Sequence, residues 1–242
     1  MIRRLLAVTD ATWPAAETAE AGGWLLRRGL GGGKRVSSAS AREPGAAPDP
    51  APAEAGMAAW GQPGLFRLGE DEAALGEALG RAGFGVRQRV LFYVAPVPAL
   101  ADDADETARL IRVGADVAIM REIWAAGGIC AARQAVMERV RLPAMRLLAR
   151  VGDTPVGCAF VAIDGEVAMV HAMEVLATAR RRGAGTRLLR GAANWAAERG
   201  AETLALAVTE ANAPARALYD RLGMTVAARY HYLERQMGET RP

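Results

Sequence analysis

The spacing of hydrophobic and polar positions changes repeatedly along this chain, and each change marks the passage from a strand to a helix. Apolar runs rich in β-branched and aromatic residues predict strands at 23–28, 63–68, 86–95, 108–113, 145–150, 156–163, 167–176, 204–208 and 226–235. Apolar residues three and four positions apart predict helices at 72–81, 115–126, 131–140, 186–199 and from Asn212 onward. Gly83, Gly200 and Gly223 stand just after three of these helices, where a left-handed residue commonly ends the last turn.

The first sixty residues have a weaker pattern. It predicts a helix near 11–21, a strand at 35–40 and a Pro/Ala-rich loop at 43–56. A second segment, proline-rich and acidic, at 96–105 predicts a linker between two domains, which would span residues 1–100 and 105–242.

Short turns join the strands that precede residues 167–176. Gly152-Asp153 separates two of these strands, and Asp164-Gly165, a strong hairpin sequence, separates the last of them from 167–176. Three antiparallel strands therefore lead into this segment. The predicted fold class is α/β (α+β), with a mixed, mostly antiparallel sheet flanked by helices.

The two halves of the chain resemble each other weakly. Residues 65–84 and 204–224 share the order strand, helix, glycine and apolar residue, with spacing that agrees to within one residue. The N-terminal half is therefore interpreted as a degenerate copy of the C-terminal unit. It carries Leu79 where the other half has Tyr219, so we expect no chemistry from it, only packing and at most one wall of the site.

Composition limits the class of protein. The 242 residues carry a net charge of +3, and nearly all the positive charge is arginine, with Lys34 the one lysine. This mild charge does not indicate nucleic-acid binding but suits an anionic small ligand. Cys130 and Cys158 are too few for a disulfide framework, which favours a cytoplasmic location. Asp10 interrupts the first apolar run and no run approaches about 18 residues, so neither a signal peptide nor a membrane span is predicted.

The segment after residues 167–176 contains the strongest candidate for a binding site. Arg180-x-x-Gly183-x-Gly185 lies between a predicted strand and a predicted helix. The first backbone N–H groups of a helix have no intrahelical acceptor, and the helix dipole adds partial positive charge there. Glycine lets an anion approach those N–H groups, and three consecutive arginines from Arg180 add full charges. The pattern predicts a pyrophosphate site.

Two motifs together resemble those of the GNAT acetyltransferase superfamily. One is Val175 followed by the arginine–glycine turn, which is similar to the family's Q/R-x-x-G-x-G/A sequence. The other is Asn212-x-x-Ala215-x-x-Leu218-Tyr219-x-x-x-Gly223-Met224, which is similar to the family's N-x-x-A-x-x-L-Y-x-x-x-G-F. The resemblance covers roughly residues 108–235, and the whole chain resembles two-module members with a degenerate N-terminal GNAT-like half. Ala177 departs from the pattern, because many members have proline there.

This resemblance implies a GNAT fold in the C-terminal half, with acetyl-CoA as co-substrate. It implies that the strands at 167–176 and 204–208 splay apart, so that unpaired N–H groups near Val175 bond the pantetheine arm and polarise the acyl carbonyl. The residues implied in cofactor binding are Val175, Leu176, Arg180, Arg181, Arg182, Gly183, Ala184, Gly185, Thr186 and Asn212. The alternatives are an ordinary turn with solvated arginines and, for Asn212, a purely structural helix cap.

The resemblance also places Tyr219 as general acid toward the coenzyme A thiolate. A phenol is protonated at neutral pH and can donate to a thiolate, whereas a half-buried tyrosine on a helix edge is the structural alternative. Glu174 is the candidate base, since a carboxylate in an apolar strand can take a proton directly or through water. An ion pair with a neighbouring arginine is an equally good interpretation. Strand alternation predicts that Glu174 lies on the face opposite His171.

Several other residues with reactive or aromatic side chains are expected to contribute to packing rather than to catalysis. We expect His171 to be a satisfied core histidine, Trp124 and Trp195 to be core residues, and Cys158 to be buried and inert. His231, on the last strand, either faces the acceptor or belongs to an aromatic cluster on an edge strand. No metal-ligand spacing occurs in the sequence.

The function predicted from these residues is N-acetyl transfer from acetyl-CoA to an amine, directly and within a ternary complex. The alternative is a non-catalytic acyl-CoA-binding regulatory module that has lost turnover. A third hypothesis, a nucleotide-binding Rossmann domain, needs alternating parallel strand–helix units, and the hairpins before residue 167 argue against it. The acceptor is expected to be a small-molecule or peptide amine, with no nucleic-acid or membrane partner. GNAT domains often pair, so a homodimer is also considered.

Overall fold

The computed structural model describes residues 1–101, 110–115 and 117–236. Its helices are α1 (Ile2–Thr12), α2 (Ala51–Ala59), α3 (Ala73–Arg81), α4 (Val97–Leu100), α5 (Ala118–Ala126), α6 (Ala131–Met137), α7 (Ala184–Ala197) and α8 (Ala213–Arg221). Its strands are β1 (Glu17–Ala21), β2 (Trp24–Arg28), β3 (Ser40–Ala41), β4 (Leu65–Gly69), β5 (Phe84–Pro96), β6 (Leu110–Val113), β7 (Ala144–Val151), β8 (Thr154–Asp164), β9 (Val167–Val175), β10 (Thr203–Thr209) and β11 (Thr225–Arg235). Short 3₁₀ turns occupy Lys34–Val36 and Ala177–Ala179.

The strands form one large and one small sheet. The large sheet has the order β4-β11-β5-β10-β9-β8-β7-β6, and the small one has the order β1-β2-β3. β9 and β10 pair in parallel, whereas the other neighbours described in the large sheet pair antiparallel. The mixed, mostly antiparallel sheet and the three antiparallel strands before β9 are therefore confirmed.

The two halves of the chain exchange strands within the large sheet. β4–α3–β5 and β10–α8–β11 are equivalent units, and each unit's first strand pairs with the last strand of the other. The two last strands, β5 and β11, pair with each other at the centre of this group. This arrangement supports the internal repeat. The division into domains 1–100 and 105–242 stays a prediction: the sheet itself runs across it, and part of the linker lies outside the described residues.

The N-terminal elements differ from the prediction. α1 occupies Ile2–Thr12, because Leu5 and Val8 bury one face of it and Pro14 follows its end. Of the predicted strand at 35–40, residues 35 and 36 lie in the 3₁₀ turn and only Ser40 lies in a strand, β3. α2 begins inside the predicted loop at 43–56 and extends beyond it, since Pro52 is tolerated in a first helical turn and Met57 is buried in the core.

Packing on both faces of the large sheet fixes the position of its strands. α7 covers one face with buried alanine, leucine and tryptophan side chains, and α5 and α6 cover part of the other. The N-terminal helices pack with β4, β5 and β11. In the described ranges, no helix is long and apolar enough to cross a bilayer.

A buried ionic cluster joins α1 to two strands. Asp10 accepts hydrogen bonds from Arg67 at 2.8 Å through both carboxylate oxygens, and one of these oxygens also binds Arg27 at 2.8 Å. The side chains of Arg27 and Arg67 are only 4% and 2% exposed. Burial acts to raise the pKa of Asp10, but the charges and hydrogen bonds of both arginines hold it below its usual value. One carboxylate therefore compensates two buried cations.

Candidate functional site

β9 and β10 part from each other at a defined point. Their parallel register pairs Thr203–Leu206 with Val167–Val170 and extends no further along either strand. Beyond it, β9 keeps its ladder with β8 and β10 keeps its ladder with β5. The second half of each strand therefore borders an opening, as the predicted splay requires.

A β-bulge in β9 lies at the start of this opening. His171 and Glu174 pair with residues that are two apart on β8, so β9 contains one extra residue. Ala172 has a φ of +47°, a strained backbone for a residue with a Cβ, and Trp124 Nε1 donates to its carbonyl at 2.7 Å. The prediction that Glu174 lies opposite His171 is wrong, because the extra residue shifts the alternation and brings both to the same face.

Backbone groups at the end of β9 face the opening. Leu176 N–H donates to Val156 O at 2.9 Å, and Val175 stands opposite Gly157 in the ladder. In that antiparallel pattern the N–H and C=O of Val175 point away from β8. Val175 O accepts a hydrogen bond from Arg180 Nε at 3.1 Å. The Val175 N–H is thus a donor directed into the opening, whereas the Leu176 N–H is held by β8.

The turn between β9 and α7 leaves helix N–H groups without a side-chain cap. α7 has Gly183 as its N-cap, with a φ of +80°, and no side chain caps that end. The side chains of Arg180, Arg181 and Arg182 are exposed. The first turn of this 14-residue helix contains no acidic residue. The N–H donors without a side-chain cap, the positive end of the helix dipole and the arginine charges therefore lie together. This arrangement binds anions.

Arg187 adds a fourth positive charge that the sequence motif did not identify. Its Nη2 donates to Arg182 O at 3.2 Å, and a Cβ added to Gly183 would lie 2.9 Å from its Nη1. A Cβ on Gly185 would lie 2.9 Å from Leu218 Cδ2. Gly185 therefore lets the start of α7 approach α8, the helix that carries Tyr219.

Tyr219 is buried between α8 and the sheet. Tyr219 is 6% exposed, and its ring centroid lies 5.3 Å from that of Tyr93 on β5. Burial raises the pKa of Tyr219 to about 12, although the positive charge of Arg35 acts in the opposite direction. The hydroxyl therefore keeps its proton at neutral pH. Asn212 caps α8, because its Oδ1 accepts a hydrogen bond from Ala215 N at 3.2 Å.

Glu174 is partnered by an arginine of the turn. Its Oε1 lies 3.3 Å from Arg180 Nη2, and its side chain is 16% exposed. Gly127 at the end of α5 makes room for it, since a Cβ there would collide with the carboxyl carbon. The ion-pair interpretation of Glu174 is therefore confirmed, and Glu174 directly precedes Val175, whose N–H faces the opening.

His171 is a satisfied core histidine, as expected. It is 3% exposed and stacks on Trp13 with ring centroids 5.0 Å apart. Its Nε2 lies 2.8 Å from Thr12 Oγ1, whose own proton goes to Val8 O, so Nε2 is assigned as the donor. Burial, reinforced by the charge of Arg35, holds the pKa of His171 well below its usual value.

The other residues considered in the sequence analysis lie in the core or on an inner strand of the sheet. Trp124 and Trp195 are each 1% exposed. Cys158 is buried, and burial together with the carboxylate of Glu174 raises the pKa of its thiol. His231 is not on an edge strand, because β11 lies between β4 and β5.

Arg35, from the N-terminal half, reaches the opening. Its Nη2 donates to Ala207 O at 3.1 Å, and its Nη1 lies 3.4 Å from His171 Nδ1. Ala207 is the first residue of β10 beyond the parallel pairing. The N-terminal half thus supplies a cation between the separated strands. No local motif marks Arg35, because the contact spans more than 130 residues of sequence.

The match to a sequence family is confined to the C-terminal part of the chain. Residues 120–224 match the model of the acetyltransferase (GNAT) family. Among curated proteins, none matches the sequence significantly. The matched range contains the bulge, the turn and Tyr219.

Solved structures match the fold over nearly the whole chain. A GCN5-related N-acetyltransferase from Kribbella flavida has a TM-score of 0.71 at 22% identity, covering 99% of this chain and 97% of that one. A GNAT-family protein from Novosphingobium aromaticivorans has a TM-score of 0.60 at 21% identity, covering 98% and 97%. A tandem GNAT protein from the clavulanic acid biosynthesis pathway has a TM-score of 0.61 at 14% identity, covering 95% and 87%. These similarities confirm the GNAT fold.

Proposed function

We propose that this protein, whose residues 120–224 belong to the acetyltransferase (GNAT) family, transfers an acetyl group from acetyl-CoA to an amine. One observation carries the proposal. The opening between β9 and β10 contains the Val175 N–H, and it adjoins the N-terminus of α7, which has no side-chain cap. An acyl carbonyl and a pyrophosphate can therefore be held at the same time by neighbouring backbone donors.

The residues present fit acetyl-CoA. Glycine at position 183 keeps free the space beside Arg187 that a Cβ would enter, which suits a pyrophosphate on the α7 N–H groups. Arg180, Arg181 and Arg182 would add charge around it, with Ala184, Gly185 and Thr186 contributing backbone N–H groups. Bound acetyl-CoA would supply the acetyl group as an activated thioester.

Two side chains are proposed to move protons. Tyr219 would protonate the departing sulfur, because its hydroxyl is un-ionised at neutral pH and α8 lies beside the start of α7. Glu174 would accept the proton of the amine, directly or through water, once its contact with Arg180 has changed. Transfer would then take place directly between acetyl-CoA and amine in a ternary complex.

Replacing Tyr219 with phenylalanine is expected to lower kcat by about 10²- to 10⁴-fold, the usual contribution of a general acid. Phenylalanine keeps the ring packing on Tyr93, so the acetyl-CoA dissociation constant should change by less than about threefold. Thiol release in the presence of an amine panel gives kcat, and calorimetry gives the affinity. Tyr93→Phe, which removes the other hydroxyl of this pair, is the matched control and should keep its turnover. A wild-type rate for Tyr219→Phe would remove Tyr219 as the acid.

Replacing Glu174 with glutamine is expected to lower kcat/KM at neutral pH by at least about tenfold. Glutamine keeps the size of the side chain and a hydrogen bond to Arg180 but cannot accept the proton. Glu166→Gln is the control, since that exposed carboxylate precedes β9 and pairs with Arg4. A wild-type kcat/KM in Glu174→Gln would leave Glu174 with the ion pair alone.

A non-catalytic acyl-CoA-binding module remains the second candidate. It shares the opening and the turn with the enzyme, and it differs in having no turnover. Bound acetyl-CoA that releases no thiol with any amine of the panel would favour the module. A cytoplasmic location and a homodimer remain proposals from the sequence.

A further inference from the structure

A cleft of about 300 Å³ lies next to the opening between β9 and β10. Its walls are the loop 32–35, Arg133 of α6, Thr209 at the end of β10, and Tyr230 and Tyr232 of β11. This volume is at the lower end of the range of roughly 300–1,000 Å³ for small-molecule pockets. The cleft therefore suits a small ligand.

The charged residues that line this cleft are all cations, namely Lys34, Arg35 and Arg133. Within residues 1–101, 110–115 and 117–236, none of the three forms an ion pair with a carboxylate. Lys34 Nζ donates to the neutral side chain of Gln88 at 3.1 Å. Arg35 donates to a backbone carbonyl and contacts a neutral histidine. We refer to this space as the cationic cleft.

Of the three cations, Arg133 is the one whose charge is least compensated by neighbouring groups. Its Nε is buried and has no hydrogen-bond partner within the described part of the chain. That nitrogen stands over the loop of the N-terminal half, because a Cβ on Gly33 would lie 3.6 Å from it. Burial lowers the pKa of Arg133, and the like charge of Arg35 lowers it further. Arg133 is only partly buried, but its buried Nε is unbonded and a like charge lies nearby, so an anion between Arg133 and Arg35 would stabilise the cleft.

The cationic cleft is connected to the place where acetyl transfer is proposed. Arg35 lines the cleft and also bonds Ala207 O at the edge of the opening. Its charge acts on Tyr219, the proposed acid. An anion held by Arg35 and Arg133 would therefore lie beside the opening.

We infer that the acceptor is a small amine that carries an anionic group, which Arg133 and Arg35 bind while the amine enters the opening. This inference rests on the proposed function and narrows its acceptor from any amine to a compact zwitterion. Guanidinium groups match the geometry of carboxylates and phosphates in particular. Both sources of the anion are therefore included in the test.

The test compares amines in matched pairs that differ in the anion alone. Amino acids are paired with their carboxamides, and phosphoethanolamine is paired with ethanolamine. Thiol release from acetyl-CoA gives kcat/KM for each member. We expect the anionic member to be preferred at least about tenfold in one class of pair, and that class identifies the anion. Equal or better use of the neutral members, with acetyl-CoA bound and turned over, would overturn the inference and leave the proposed function standing.

Arg133→Gln provides the second arm, with Arg141→Gln as a control for net charge at an exposed position. Arg133→Gln should reduce the preference for the anionic member at least about tenfold, and Arg141→Gln should preserve it. Calorimetric titration of the amines, with and without coenzyme A, reports binding independently of turnover. The protein could bind the anionic amines but no acetyl-CoA. If Arg133→Gln then abolished the amine binding, the result would support the cleft and contradict the proposed function. Loss of acetyl-CoA affinity in Arg133→Gln without loss of preference would assign the cleft to the cofactor's own phosphates and overturn the inference.

Discussion

Replacing Gly183 with aspartate is expected to weaken acetyl-CoA binding at least about 100-fold, which corresponds to about 2.8 kcal/mol. The new carboxylate would stand at the N-terminus of α7, where the pyrophosphate is proposed to bind. A Cβ at this position would lie 2.9 Å from Arg187 Nη1, so the carboxylate would also neutralise a charge meant for the ligand. Calorimetric titration with acetyl-CoA measures the loss.

Gly183→Asn is the matched control for this experiment. Gly183 has a φ of +80°, and asparagine and aspartate both tolerate the left-handed region better than other residues with a Cβ. The two variants therefore share their size and backbone strain and differ in charge. Asparagine should retain most of the affinity, within about tenfold. Equal affinity of the aspartate variant and wild type would refute the anion site.

Replacing Asp10 with asparagine is expected to destabilise the protein by about 3 kcal/mol, the lower end of the cost of breaking a buried pair. The lower end applies because the Asp10 side chain is itself 33% exposed. Asparagine would leave Arg27 and Arg67 buried without a counter-charge between α1, β2 and β4. Chemical denaturation measures the change in the free energy of unfolding.

The same cluster predicts a pH dependence. The pKa of Asp10 is lower in the folded protein than its usual value of 3.8, so its contribution is present above that value. The contribution is lost as the pH falls through the folded pKa, and the difference between wild type and Asp10→Asn should shrink there. Asp71→Asn, which breaks the exposed pair with Arg3, should cost less than about 1 kcal/mol. A similar cost for both variants would contradict the buried role of Asp10.

Patterns that are local in the sequence predicted much of the C-terminal half. Hairpin turns, helix-ending glycines and the arginine–glycine turn each depend on neighbouring residues, so β7 to α8 formed close to where the sequence placed them. The internal repeat was also visible, because equivalent strand–helix–strand units keep their spacing. The repeat did not show that each unit lends its last strand to the other, since strand pairing is decided by long-range contacts.

Long-range contacts explain what was missed in the candidate site. The Ala172 carbonyl at the bulge in β9 accepts a hydrogen bond from Trp124 of α5, and the extra residue of the bulge reversed the predicted facing of Glu174. Arg35 and Arg133 come from a glycine-rich loop and a short helix without a motif. They become notable only when folding brings them together beside the opening. The expectation that the N-terminal half supplies at most one wall of the site agrees with the position of Arg35. A role of Arg35 in binding the acceptor stays a proposal.

Calorimetric titration of the purified protein with acetyl-CoA, beside coenzyme A and NAD, decides whether the opening and the turn before α7 bind the proposed co-substrate. We expect micromolar binding of acetyl-CoA, weaker or similar binding of coenzyme A, and no binding of NAD. Such a result would establish the co-substrate and justify the paired-amine assay. Absence of acetyl-CoA binding would mean that the turn before α7 only begins a helix, and it would contradict the proposed acetyl transfer.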